Sequence, residues 1–126
     1  FIMSDTEGLR VLKWSLFDSP DSEGSGYKFM EREPVVALDR VCHKYRITPT
    51  ILLGYTSKPV ADKMYLTTND SHRVGMAVRL QCKHYRKRIK MIRGLMEEGV
   101  TRFAMSQDTL YFDTDPLKPP AFYYWT

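Results

Sequence analysis

A chain of 126 residues with 43% apolar and 13% aromatic side chains holds enough material for one packed core and is unlike a disordered tail. Its net charge of +4 is modestly basic, and no apolar run approaches the ~18 residues a membrane-spanning helix needs, so membrane insertion is not expected. Two cysteines make no disulfide framework, and a reducing, intracellular setting in nucleus or cytoplasm is the expectation.

Residues 1–7 read as a flexible N-terminus in which Phe1 and Ile2, ahead of Met3, look appended. Residues 8–126 read as a single globular domain. Residues 8–17, GLRVLKWSLF, are rich in branched and aromatic side chains and predict a strand. The DSPDSEGSG that follows is a loop by composition, with residues 27–30 as its short return strand. Glu33-Pro34 opens a helix, proline standing where its missing N–H costs nothing. Val35, Leu38, Val41, Cys42 and Tyr45 form the apolar face of that helix, leaving Asp39, Arg40, His43 and Lys44 outside. Thr48-Pro49 repeats the cap-and-proline signature and favours a short helix over a strand for the residues after it. Ser57-Lys58-Pro59 is a third such start, and TTNDS is a turn from which Asn69, Asp70 or Ser71 caps the next element.

That next element is the most periodic stretch of the chain, residues 73–99, and it predicts one long helix. Val78, Cys82, Tyr85, Ile89, Ile92 and Met96 fall on one stripe; Arg79, Lys83, Arg86, Lys90 and Arg93 fall on a second, one position later. Residues 79–93 carry seven Lys or Arg and no acid, so the rest of the chain is slightly acidic and an anionic partner at one surface is favoured. Gly99 supplies the stop. Beyond it, segments around Ser106-Gln107-Asp108 predict a hairpin, and the proline- and aromatic-rich end, DPLKPPAFYYWT, predicts an extended segment whose rings close the core. An end without a polar tail suggests a piece of a larger regulatory or viral protein.

The expected fold class is therefore α+β: three to four helices around one long basic amphipathic helix, with short antiparallel strands and a C-terminal hairpin. A winged-helix-like form is one version, its helix–turn–helix made from residues 34–46 and 48–57. The expected function is non-catalytic nucleic-acid binding, to DNA or RNA, with Arg79, Lys83, Arg86, Lys87, Lys90 and Arg93 on phosphates. The bland alternative is a solvated helix face. The rival function is a protein-interaction or homodimer surface made by the apolar stripe or the C-terminal aromatics.

Other constellations are weaker. Cys42, His43, Cys82 and His84 do not have chelating spacing on helices, so no metal or other cofactor is expected. Asp70 and His72, with Asn69 and Arg73, read as a helix cap and its first turn before they read as a catalytic cleft. Asp108, Asp113 and Asp115 suggest a metal-dependent nuclease only distantly, since hairpin turns collect aspartates for conformational reasons. No glycine-rich phosphate loop and no hydrolase signature is present.

Overall fold

The computed structural model describes residues 4–67 and 70–125. It is an α+β fold of four α-helices and a five-stranded sheet: α1 (Ser25–Phe29), α2 (Arg32–Tyr45), β1 (Thr50–Leu53), α3 (Lys58–Lys63), β2 (Ala77–Gln81), α4 (Tyr85–Glu97), β3 (Arg102–Met105), β4 (Thr109–Asp113) and β5 (Ala121–Tyr124). The strand order is β1-β2-β4-β3-β5, antiparallel except that β5 runs parallel to β3.

One core unites the two helices longer than two turns with one face of the sheet. Val35, Leu38, Val41 and Cys42 come from α2, Met91 and Leu95 from α4, and Val78, Leu80, Phe103, Leu110 and Phe112 from the strands. On β2 and β4 these side chains alternate with polar ones, which is what a sheet covered by helices on one side requires. The two helices cross closely at Gly94. A Cβ there would stand 2.7 Å from Val41 Cγ1, so the glycine sets how near they come.

The long helix of residues 73–99 does not exist. Its first third is a turn and then β2; only α4 is helical, starting at Tyr85. Gly75 sits at φ +74°, and a Cβ on it would collide with the Phe29 carbonyl, so the backbone leaves helical geometry at that point. Ala77 to Gln81 then pair residue by residue with β4. Arg88 fixes the link to α4: its guanidinium donates to the carbonyls of Cys82, Ser106 and Gln107, tying the β2–α4 loop to the tip of the β3–β4 hairpin.

The N-terminal region also departs from expectation. Residues 10–12 pair with no strand; their N–H groups go to Asp39, whose carboxylate accepts from Arg10, Val11 and Leu12 at 2.9 Å each. Asp39 is accordingly buried, not on the outer face of α2. Trp14–Phe17 form a 3-10 turn with both aromatic rings buried. Residues 27–30, expected as a return strand, belong largely to α1. The acidic loop before it is knitted by its own side chains: Asp18 accepts from Gly24 and Gly26 N–H, and Asp21 from Ser19 and Ser57 hydroxyls.

Residues 50–53 are strand rather than helix, so the expected second helix over residues 48–57 is absent and the helix–turn–helix fails, and the winged-helix-like form with it. Thr50 and Ile51 pair with Gln81 and Leu80 of β2; the branched side chains and an available sheet edge outweigh the cap signature at Thr48-Pro49. The start of α3 and the hairpin around Ser106-Gln107-Asp108 agree with the sequence, and α2 begins at Arg32, two residues before the expected Pro34. Asn69, one of the expected caps, lies outside the described residues.

Candidate functional site

Of the six cations expected on phosphates, five lie on α4 or in the loop that leads into it. Arg86, Lys87, Lys90 and Arg93 are exposed on α4, and Lys83 is exposed in the loop leading into it. Among the described residues none of the five lies within ion-pair distance of a carboxylate. Arg86, Lys90 and Arg93 lie within about 60° of one another around the axis at ~100° per residue. Tyr85 stands beside them, its ring stacked on His84 and beneath the Arg86 guanidinium. Toward the C-terminal end of α4 the charge reverses: Glu97 and Glu98 hold Lys44 and Arg40 of α2. Arg79 is not part of this surface. It is a β2 residue whose guanidinium lies over the Trp125 ring, across the sheet from α4.

The apolar stripe is split: Val78 and Cys82 are in the core and Ile92 packs partly against it, while its other members face outward. Tyr85, Ile89 and Met96 are 63%, 53% and 51% exposed. The buried flank of α4 is Met91, Gly94 and Leu95, about 120° away around the helix. Met96 lines a shallow groove with Phe122 of β5, and Phe122 is 57% exposed. The C-terminal rings therefore close only part of the core. Because β5 is an edge strand, Phe122, Tyr123 and Tyr124 all remain half-exposed.

The turn before β2 holds a residue that sequence reasoning placed wrongly. His72, expected on a helix surface, is buried; its Nδ1 lies 2.9 Å from the Gly54 carbonyl oxygen and its ring meets Tyr111 edge-on. Burial lowers its pKa below the usual imidazole range, against the opposing pull of the Gly54 hydrogen bond, so the ring is neutral. Asp70 caps nothing longer than this turn, accepting from His72 N–H. Arg73 donates to the Thr56 carbonyl.

Two of the three aspartates that suggested a nuclease, Asp113 and Asp115, are engaged within the fold, and Asp108 is exposed at the hairpin tip. Asp113 receives Arg102 Nε and the Tyr111 hydroxyl, and Asp115 receives Ser71 Oγ and the Leu117 N–H. Burial, and then the Asp113 carboxylate, push the Tyr111 phenol far up. Among the described residues no group of three His, Cys, Asp or Glu side chains is arranged to hold a metal. Cys42 and Cys82 are free buried thiols, and burial pushes Cys42 up to about 12. None of the described helices is long and apolar enough to cross a membrane.

No protein-family model matches the chain, and neither the curated proteins nor the solved structures give a match.

Proposed function

We propose that the domain is a non-catalytic nucleic-acid-binding module whose contact surface is the outward face of α4. The observation that carries this reading is the cluster Lys83, Arg86, Lys87, Lys90 and Arg93, exposed and without ion-pair partners among the described residues. From Arg86 to Arg93 the helix rises about 10 Å, the span of roughly three phosphates along one strand of a duplex. The contacts are to the backbone, so they position the domain without reading sequence. DNA and RNA both meet that requirement, and the setting is nucleus or cytoplasm.

With about four phosphates engaged, affinity for a short duplex is expected to fall about 10²-fold between 50 and 200 mM salt. Reversing charge in Arg86→Glu/Lys90→Glu/Arg93→Glu is expected to abolish binding. Arg79→Ala, on the far side of the sheet, is expected to leave it unchanged. Fluorescence anisotropy with labelled DNA and RNA at both salt concentrations reads all three. Salt-independent binding, or loss in Arg79→Ala alone, would sink the α4 reading.

A second reading has its own observation: Ile89 and Met96 of α4 and Phe122 of β5 make an exposed apolar strip beside the cations. Soluble domains keep such strips small unless they dock something. If a second copy of the chain docks there, molar mass by light scattering rises toward a dimer with concentration, and Ile89→Glu returns it to monomer. A monomeric mass at all concentrations would count against self-association.

A further inference from the structure

On the sheet face away from the core, strand register sets Arg79, Tyr111, Ala104 and Tyr123 in one row from β2 to β5. Directly paired residues project to the same side, so these four side chains share a surface. Ala104 contributes only a methyl group, and the row is hollow there. The hollow measures about 360 Å³ and is bounded further by Asp70, His72, Arg102, Lys118 and Trp125; the Asp70 carboxylate at its edge accepts the His72 N–H.

Most polar groups around it have partners. Arg102 and the Tyr111 hydroxyl donate to Asp113, and Lys118 reaches Ser71 Oγ and Asp115. Two atoms do not. His72 is 1% exposed, and its Nδ1 faces a carbonyl, which only accepts, so Nδ1 carries the proton and Nε2 keeps a bare lone pair. That Nε2 is buried without a hydrogen-bond partner, and so is the Nε–H of Arg79. Among the described residues no carboxylate lies within ion-pair distance of Arg79 either. Two residues at the wall of the hollow, His72 and Arg79, therefore each keep one buried polar atom unmet, an acceptor and a positively charged donor.

We propose that this hollow binds a small oxyanion that also carries a hydrogen-bond donor, of the class of hydrogen phosphate or a 2-hydroxycarboxylate, with its anionic oxygen on Arg79 and its O–H on His72 Nε2. Such a ligand satisfies both groups at once. Sulfate and acetate, which bring no donor at neutral pH, satisfy Arg79 and leave His72 Nε2 unmet. Tyr123 and Trp125 line the entrance, so any carbon attached to the anionic group meets aromatic surface. The site is independent of the α4 face, from which Arg79 is separated by the sheet.

The test is a nuclear magnetic resonance titration of the full chain with inorganic phosphate, glycolate, sulfate and acetate at matched ionic strength. The Trp125 indole N–H, the Arg79 Nε–H and the His72 ring nitrogens report the pocket. Phosphate or glycolate is expected to saturate these signals at least about tenfold more tightly than sulfate or acetate, the discrimination of about one buried hydrogen bond. Arg79→Met, which keeps the aliphatic stem, is expected to weaken that binding about tenfold or more, whereas Arg86→Glu leaves it intact. Equal response to all four anions, binding that survives Arg79→Met, or no response at about 20 mM, as for a hollow filled only by water, would overturn the proposal. If Arg79→Met does not fold, the ranking of the four anions on the unmodified chain decides alone.

Discussion

Asp39→Ala is expected to cost about 4 kcal/mol of folding stability, through loss of three charge-assisted hydrogen bonds. The carboxylate is buried and takes the N–H groups of Arg10, Val11 and Leu12, so it supplies what a neighbouring strand would otherwise supply to that segment. Removing it leaves those donors without an acceptor at a place water reaches poorly, Leu12 being in the core. The segment also delivers Trp14 and Phe17 to the core, so its release would loosen more than three hydrogen bonds. Asp39→Asn keeps the shape but replaces one acceptor by a donor, and about half the loss is expected. Arg40→Ala, one residue on, removes only an exposed ion pair with Glu98 and is expected to change stability by less than about 1 kcal/mol. Urea unfolding of the three variants reads the comparison. Equal midpoints for Asp39→Ala and Arg40→Ala would show that the aspartate does not anchor the N-terminal segment.

Asp113→Ala is expected to be comparably severe, about 3–5 kcal/mol, because it strands a charge. The Asp113 side chain has no solvent exposure and receives Arg102 Nε at 2.9 Å, with Arg102 itself only 14% exposed. It also takes the Tyr111 hydroxyl at 2.6 Å and the Asp115 N–H at 3.1 Å. Without it the guanidinium keeps, among the described residues, only the Pro119 carbonyl, and a neutral oxygen does not compensate a buried cation. Removing both charges together, as Arg102→Met/Asp113→Leu, is expected to cost less than Asp113→Ala alone, since no unpaired ion remains. Denaturant melts and the double-mutant cycle measure this. A double variant less stable than the single one would mean that the pair is favourable beyond its desolvation cost.

Residues 73–99 show how two periods can occupy one stretch. Val78, Cys82, Tyr85, Ile89, Ile92 and Met96 fit a helix, but the same residues contain Val78 and Leu80 two apart, the period of a strand. The helical stripe omitted Leu80, Met91 and Leu95, all fully buried in the structure; large apolar residues left off a proposed core face are a sign that the face is wrong. Gly75 was visible as well, but its left-handed φ became decisive only against the Phe29 carbonyl. The cations survived the error in part. Arg86, Lys90 and Arg93 lie on a true helix and keep their common face, while Arg79, on the strand, went to the opposite side of the sheet.

The hollow beneath Arg79 was not legible in the chain at all. Its members come from the turn before β2, from all four strands β2 to β5 and from the segments after β4. No local spacing connects His72 to Trp125. Asp39 is similar: on a helical wheel it looks solvent-facing, and its role depends on a segment 27 to 29 residues earlier in the chain.

By itself the sequence determined what depends on neighbours within a few positions: that helices begin near Pro34 and Pro59, the β3–β4 hairpin, the α+β class and the concentration of charge between Lys83 and Arg93. Proline geometry, turn chemistry and short-range periodicity are properties of local backbone. Only the tertiary structure decided which of two compatible periods each segment adopted, which flank of α4 was buried, and which polar side chains met across the sheet. Those choices are set by hydrogen-bond partners and packing surfaces distant in sequence, whose free energies exceed the few tenths of a kcal/mol that local propensity contributes at one residue.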